Sequence, residues 1–325
     1  MFACKTDVPV LLIFFNRPET FSKVFEQVKL ARPSKLFLYQ DGARANRPGD
    51  LERVAQCRAI AEDIDWECEV HRLYQKENKG CDPSMFLAIT WAFSHVDRCI
   101  IIEDDVVPSP SFFPFCQELL EKYKDDQRIN MICGMNVPGV SENVTSDYLF
   151  SRCSSIWGWA TWKRVVDGWD GRYTFLDDQE SMALLKDNLD HNYHVTFDSL
   201  YNYAAKHRKS GREHFESILA FDRNLNNRLN IVPKYNLTCN IGVQEDSTHN
   251  VGDIRLLPKR VQQVFNMKTY PLEMPLKHPK YVIENYEHAR RHMRILGIRH
   301  PFIKFLRGID VRFRAIWFGK LFKKK

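Results

Sequence analysis

Three adjacent acids, Glu103-Asp104-Asp105, end the apolar run Ile100-Ile101-Ile102, and Val106-Val107 and the stiff residues Pro108 and Pro110 follow. Neighbouring carboxylates repel one another unless a cation or hydrogen-bond donors compensate. Oxygen ligands of this kind suit Mg2+ or Mn2+, held by one or two carboxylates together with substrate phosphates. The triplet alone leaves three readings open. These are metal-phosphate chemistry, a carboxylate-bound metal for hydrolysis, and a solvated acidic loop after a strand.

The elements around the triplet narrow the choice. The runs at 8–15, 35–42, 67–74, 98–104 and 129–136 read as strands, and helical spacing occupies 16–31, 50–64, 82–96 and 110–126. Asn16 looks like a helix cap and Pro18 falls in the first turn. Strand and helix in alternation predict a doubly wound, mostly parallel α/β sheet. Ligands of such sheets sit beyond the carboxyl ends of the strands. Asn16-Arg17, Asp41 and Glu103-Asp104-Asp105 all fall at those ends. Taken singly, Arg17 and Asp41 also suit a surface ion pair or a turn cap. Beyond residue 140 the pattern changes: 154–171 is rich in Trp and Gly, 191–211 reads as helix, and 230–250 as a short strand and a polar loop.

The glycine-rich phosphate loops of P-loop kinases and dinucleotide oxidoreductases are absent. The ordered set "VLLIFFNRP", "FLYQDGA", "NKGCDPSMFLAITWAF" and "IIIEDDVVPSPSFF" over residues 8–135 instead resembles the GT-A fold glycosyltransferases, and among them the N-acetylglucosaminyltransferase I-like group. The resemblance implies a GT-A (Rossmann-like) sheet flanked by helices, with a smaller acceptor-side lobe. It further implies metal-dependent transfer, with inversion, from a UDP-sugar donor.

Site residues follow from the same resemblance. Arg17 matches the arginine beside the nucleotide and Asp41 the acid on uracil. Glu103 matches the position near the donor sugar and Asp104 the one near the ribose. Asp105 matches the ligand of a Mn2+ (or Mg2+) that bridges the diphosphate. Lys79 and Gly80, in a loop opening a helix, fall near the nucleotide. Trp157 and Trp159 suit stacking on sugar faces or core packing. Asp198 matches the family's general base, although the second aromatic and second acid of that motif are missing, and Asp177 and Asp178 are its rivals. His249 suits a metal or diphosphate contact, or a structural role.

Charge and cysteine content place the chain in a cell. The 325 residues carry a formal charge of +6, unevenly spread: 290–325 hold +11 and the rest about −5. Residues 298–325 alternate aromatic and aliphatic side chains with Lys and Arg, as in a basic amphipathic helix on an anionic membrane. A solvated tail or a helix docked on another subunit has the same composition. No nucleic-acid module or basic body is present, so nucleic acid is not an expected partner. Nine scattered cysteines without a CxxC fit a reducing compartment. The apolar N-terminal run is too short for a secretory signal.

The expectation is therefore a cytoplasmic, peripherally membrane-bound glycosyltransferase of surface polysaccharide synthesis, with a glycan or lipid-linked acceptor. Its parts would be a nucleotide-sugar half (1–140), an acceptor-side half (141–289) and a basic tail (290–325). A sugar-nucleotide nucleotidyltransferase and a non-catalytic, glycosyltransferase-like membrane adaptor are the rivals.

Overall fold

The computed structural model describes residues 6–192, 197–243 and 254–296. Its first part runs β1 (Val10–Phe14), α1 (Pro18–Ala31), β2 (Lys35–Gln40), α2 (Gly49–Ala61), β3 (Glu69–Tyr74), α3 (Cys81–Phe93) and β4 (Arg98–Glu103). A short β5 (Val106–Pro108), α4 (Phe112–Lys122) and β6 (Ile129–Cys133) follow. Then come β7 (Tyr148–Ser151), β8 (Trp159–Trp162), the single turn α5 (Lys163–Val166), α6 (Gln179–Asn192), α7 (Phe197–Ser210) and α8 (Phe215–Leu225). The described chain closes with β9 (Leu229–Pro233), β10 (Thr238–Asn240), α9 (Lys259–Gln262) and α10 (Tyr286–Leu296).

Eight strands form one sheet in the order β3-β2-β1-β4-β8-β6-β9-β7. β3, β2, β1 and β4 run parallel. β8 enters antiparallel between β4 and β6. β9 lies parallel to β6, and β7 antiparallel to β9. This is the mostly parallel α/β sheet flanked by helices expected from the sequence, and it is consistent with a GT-A type fold. Three of its strands, β7, β8 and β9, come from beyond residue 140.

Burial on both faces explains the uniformly apolar β1. Side chains alternate across a strand. Val10, Leu12 and Phe14 pack with Phe21, Val24 and Phe25 of α1. Leu11 and Ile13 face the other way, into a core with Met85 and Ile89 of α3 and Phe215 and Ile218 of α8. Held between two layers, β1 has a fixed end, and its neighbours in register are fixed with it.

Two local readings change. Asn16 is not the cap of α1: its side-chain amide donates to Asp50 Oδ1 at 2.7 Å, and Arg17 takes the cap position without a side-chain cap bond. Pro18 opens the helix, where its missing N–H costs nothing. At the other end of the chain, α10 crosses residue 290 and buries His292 and Met293, while 297–325 lie outside the described residues.

Candidate active site

The site assembles where three parallel strands end. The register sets Ile13 beside Glu103 and Phe14 beside Gln40, so the turns after β1, β2 and β4 share one edge. A cavity of about 130 Å³ opens there. Arg17, Asp41, Gly80, Glu103 and Asp104 all line it, together with Phe15, Tyr39 and Ser84.

The acidic triplet is locked to β1 by one cation and one backbone amide. Arg17 donates to Asp104 Oδ1 at 2.5 Å and to Asp105 Oδ2 at 2.8 Å. The Phe15 N–H donates to the other Asp104 oxygen at 2.9 Å. Asp104 is 3% exposed and Asp105 14%, so these contacts are shielded from water. Glu103 gains no such partner. Its Oε1 is buried and makes no hydrogen bond among the described residues.

This arrangement shifts the titration of every member. Burial, then the charges of Asp105 and Asp104, raise the Glu103 carboxyl well above its ordinary range. Burial raises Asp104 to about 6, against the pull of Arg17. Burial works against the Arg17 charge too, yet Asp104 and Asp105 hold it more firmly protonated than usual. One guanidinium thus faces three carboxyls, and the cluster lacks positive charge.

Asp41 has a different environment at the end of β2. Oδ1 accepts the N–H groups of Gly42 and Lys79, at 2.9 and 2.8 Å. Oδ2 accepts from Asn78 Nδ2 at 2.8 Å and from the Gly80 N–H at 3.1 Å. The carboxylate therefore clamps loop 78–80 onto the pocket. Gly42 makes this possible, since a Cβ there would lie 2.4 Å from the Glu77 carbonyl carbon. Burial raises Asp41, while the backbone amides of Lys79, Gly42 and Gly80 oppose the rise. Lys79 contributes its backbone to this clamp, and its Nζ lies 3.9 Å from Glu77.

A second cavity, about 270 Å³, is lined largely by apolar residues, among them Met135, Val137, Ile156, Trp157, Leu219 and Val264. Its acid is Glu216, in the first turn of α8. Burial is the main reason the Glu103 carboxyl and the Cys81 thiol, on the rim of the first cavity, are raised, and the Glu216 charge adds to both. Nothing in the sequence reading singled out Glu216. The available signal was an acid in the first turn of the amphipathic stretch "FESILAFDRNL".

The remaining sequence candidates fall elsewhere. Trp157 is half-buried on the second cavity, with its ring 5.0 Å from that of Phe265. Trp159 is core: it is fully buried in β8 and stacks on Phe215 at 5.9 Å. A Trp in the middle strand of a two-faced sheet has no exposed ring to offer a sugar. Asp198 is exposed and paired with Lys186 at 2.8 Å. Asp177 is held by both terminal nitrogens of Arg208, and Asp178 accepts the Ser181 N–H at the start of α6. None of these three acids lines either cavity. His249 lies outside the described residues.

Of these carboxylates, Asp105 and Glu103 are the ones that could hold a hard divalent cation. Asp105 Oδ1 has no hydrogen bond among the described residues, and Glu103 offers its unpaired Oε1. Oxygen donors beside uncompensated negative charge are the set that Mn2+ or Mg2+ takes. The backbone after β10 passes directly over the acids, and a Cβ on Gly242 would lie 2.0 Å from Asp105 Oδ2.

No family model and no curated protein matches the chain. Among solved structures, it is similar to a UDP-glucose pyrophosphorylase complexed with UDP-glucose, with 10% identity and a TM-score of 0.35 over 71% of this chain and 91% of that one. It is also similar to HddC from Yersinia pseudotuberculosis, with 8% identity and a TM-score of 0.29 over 49% of this chain and 79% of that one. At TM-scores this low, a functional reading rests on the residues of the site itself.

Proposed function

We propose that this protein is a divalent-cation-dependent, inverting glycosyltransferase that moves a sugar from a UDP-sugar to a glycan or lipid-linked acceptor. The observation that carries this reading is the convergence of Arg17, Asp41, Glu103 and Asp104 on one cavity at the ends of three parallel strands, with Asp105 alongside. Buried carboxylates with perturbed titration in a cleft are candidates for a functional site on physical grounds.

Asp105 would hold the cation, with Glu103 and Asp104 behind it. The cation would neutralise the departing nucleoside diphosphate. Asp41 orders the loop that closes over the nucleotide base. Glu216 serves as general base in place of Asp198, because it faces the cavity beside the cluster while Asp198 is tied to Lys186 at the surface. The acceptor oxygen forms its bond to the anomeric carbon as the bond from that carbon to the diphosphate breaks. The acceptor proton goes to Glu216. The apolar lining around Glu216 suits the ring faces or apolar portion of an acceptor. No helix among the described residues is long and apolar enough to cross a membrane. Residues 298–325 would hold the enzyme to an anionic membrane where lipid-linked acceptors reside, in the synthesis of surface polysaccharide.

The test is thermal unfolding with UDP and UDP-sugars, with and without Mn2+, on the wild-type protein and Asp105→Asn. Binding to the native state alone contributes about 2.7 kcal/mol at a hundredfold excess over Kd. The expected result is a stabilisation that needs nucleotide and Mn2+ together and disappears in Asp105→Asn. Release of pyrophosphate from a nucleoside triphosphate and a sugar phosphate would instead establish the nucleotidyltransferase. No response to any nucleotide would favour the adaptor.

A further inference from the structure

Three residues from separate elements meet on the α3 side of the sheet, and the site described above uses none of them. Asp82 lies in the first turn of α3, His207 in the last turn of α7, and His214 at the N-cap of α8. A ligand atom of each lies within 4.8 Å of those of the other two. All three are partly exposed, so an ion can reach them.

We propose that Asp82, His207 and His214 bind a zinc ion that ties the first turn of α3 to the first turn of α8. Two imidazoles and one carboxylate are a recurrent zinc donor set, with a fourth position left for water. Both rings must bind as neutral imidazoles. The His207 Nδ1 is buried and makes no hydrogen bond among the described residues.

The surroundings hold one ligand in place and leave another adjustable. The His214 backbone N–H donates to the Tyr173 hydroxyl at 2.6 Å, which pins the start of α8. The His214 Nδ1 accepts from the Ser217 N–H at a long 3.3 Å, and the same N–H has a shorter bond, 3.1 Å, to the His214 carbonyl. Moving the ring proton to Nδ1 and binding through Nε2 therefore gives up only the longer contact. The two rings stack at 4.6 Å and 22°. One ring must turn about its Cβ–Cγ bond, a broad torsion in histidine, to share an ion with the other. The ligand atoms must also draw in to the roughly 3.4 Å separation of a tetrahedral zinc shell with bonds near 2.1 Å.

The location gives the ion a role. Asp82 follows Gly80 and Cys81, which line the first cavity, and His214 precedes Glu216, the acid of the second. A zinc bridge would hold the two walls at a set spacing.

The experiment is equilibrium dialysis of the full chain, freed of metal, against Zn2+. Co2+ then replaces Zn2+, so that the visible absorption of tetrahedral cobalt reports the ligands. The variants are Asp82→Asn, His207→Gln, His214→Gln and Asp105→Asn, each checked for native circular dichroism. The expected result is one tight Zn2+ in the wild type and in Asp105→Asn, and loss of it in both histidine variants and Asp82→Asn. No tight equivalent in the wild type overturns the proposal. So does an equivalent that survives His207→Gln and His214→Gln, or one that vanishes only in Asp105→Asn. Because Asp105→Asn removes the nucleotide-site cation alone, failure here and failure of the glycosyltransferase reading give different patterns.

Discussion

Arg228 meets Asp222 at 2.7 Å just beyond the end of α8, with both side chains nearly out of water. Arg17 meets Asp104 and Asp105 at the end of β4, where Asp104 is as buried but Arg17 and Asp105 are partly exposed. The first pair balances. One cation faces one carboxylate, and the second carboxylate oxygen accepts Asn226 Nδ2 at 3.0 Å. The second does not balance, since one cation serves three carboxyls and a Glu103 oxygen is left without a bond. A buried ion pair whose charges and lone pairs are all met is a closed structural unit. A cluster that keeps excess negative charge in a cavity is held ready for a positively charged ligand, and its cost to stability is borne by the cores on either side.

The largest effect should come from opening the balanced pair. Arg228→Ala strands Asp222 in the interior, and removal of one partner from such a pair costs about 3–5 kcal/mol. Urea unfolding should show the loss as a lower midpoint with an unchanged slope. The surviving native fraction should still respond to UDP and Mn2+ as the wild type does. A variant of unchanged midpoint would mean that Asp222 is solvated and that the contrast between the two regions is false.

Next in size is Glu216→Gln, which probes the unbalanced region through its fourth acid. General-base catalysis contributes about 10²–10⁴-fold, so sugar transfer at saturating donor and acceptor should fall by that factor. Stability should stay within about 0.5 kcal/mol, as for an exposed polar replacement. Asp198→Asn should leave transfer unchanged. The reverse outcome, with Asp198→Asn inactive and Glu216→Gln active, would return the base to α7 and empty the second cavity of its proposed chemistry.

The same two regions show why part of the molecule was legible and part was not. "VLLIF", "KLFLYQ" and "RCIIIE" are apolar because both faces of a parallel sheet are covered, and that composition is visible in the chain. Polar residues at their ends then had one edge to occupy, and Arg17, Asp41, Glu103 and Asp104 do share one cavity. "WATW" carries no comparable signal. Three apolar residues and a threonine fit a strand or a helix equally, and only pairing with β4 and β6 makes them the antiparallel strand that buries Trp159. Glu216 was hidden for a related reason. Its proximity to Glu103 comes from packing α8 against α3, a contact of residues more than a hundred positions apart. Asp198 stood out because of a pattern beside an aromatic residue, but that pattern does not say which way a helix faces. The balanced pair was invisible too, since Arg228 and Asp222 look like any two surface charges until β9 enters the sheet.

The smallest effect concerns Glu103 and has a sign that reverses ordinary expectation. Burial, then Asp105 and Asp104, lift its carboxyl above its ordinary value near 4.5. The native state therefore binds a proton that the unfolded chain releases, and stability falls as pH rises from that value through the folded one. Asp104, raised to about 6 from 3.8, adds a loss of the same sign over that interval. Asp222, in the balanced pair, is raised by burial as well, against the charge and hydrogen bond of Arg228. Glu103→Gln keeps the shape and removes the charge, so it should flatten its share of the slope. At pH 7.5 without ligand the variant should melt higher than wild type by about 2 °C or more, the response to roughly 1 kcal/mol in a chain of this class. At pH 4.5 the gap should close. Mn2+ with UDP should narrow the gap at pH 7.5, because a bound cation relieves the same repulsion in the wild type. Parallel melting curves for the two proteins from pH 4.5 to 7.5 would mean that Arg17 already balances the triplet, and the end of β4 would then be a structural salt bridge of the Arg228 kind.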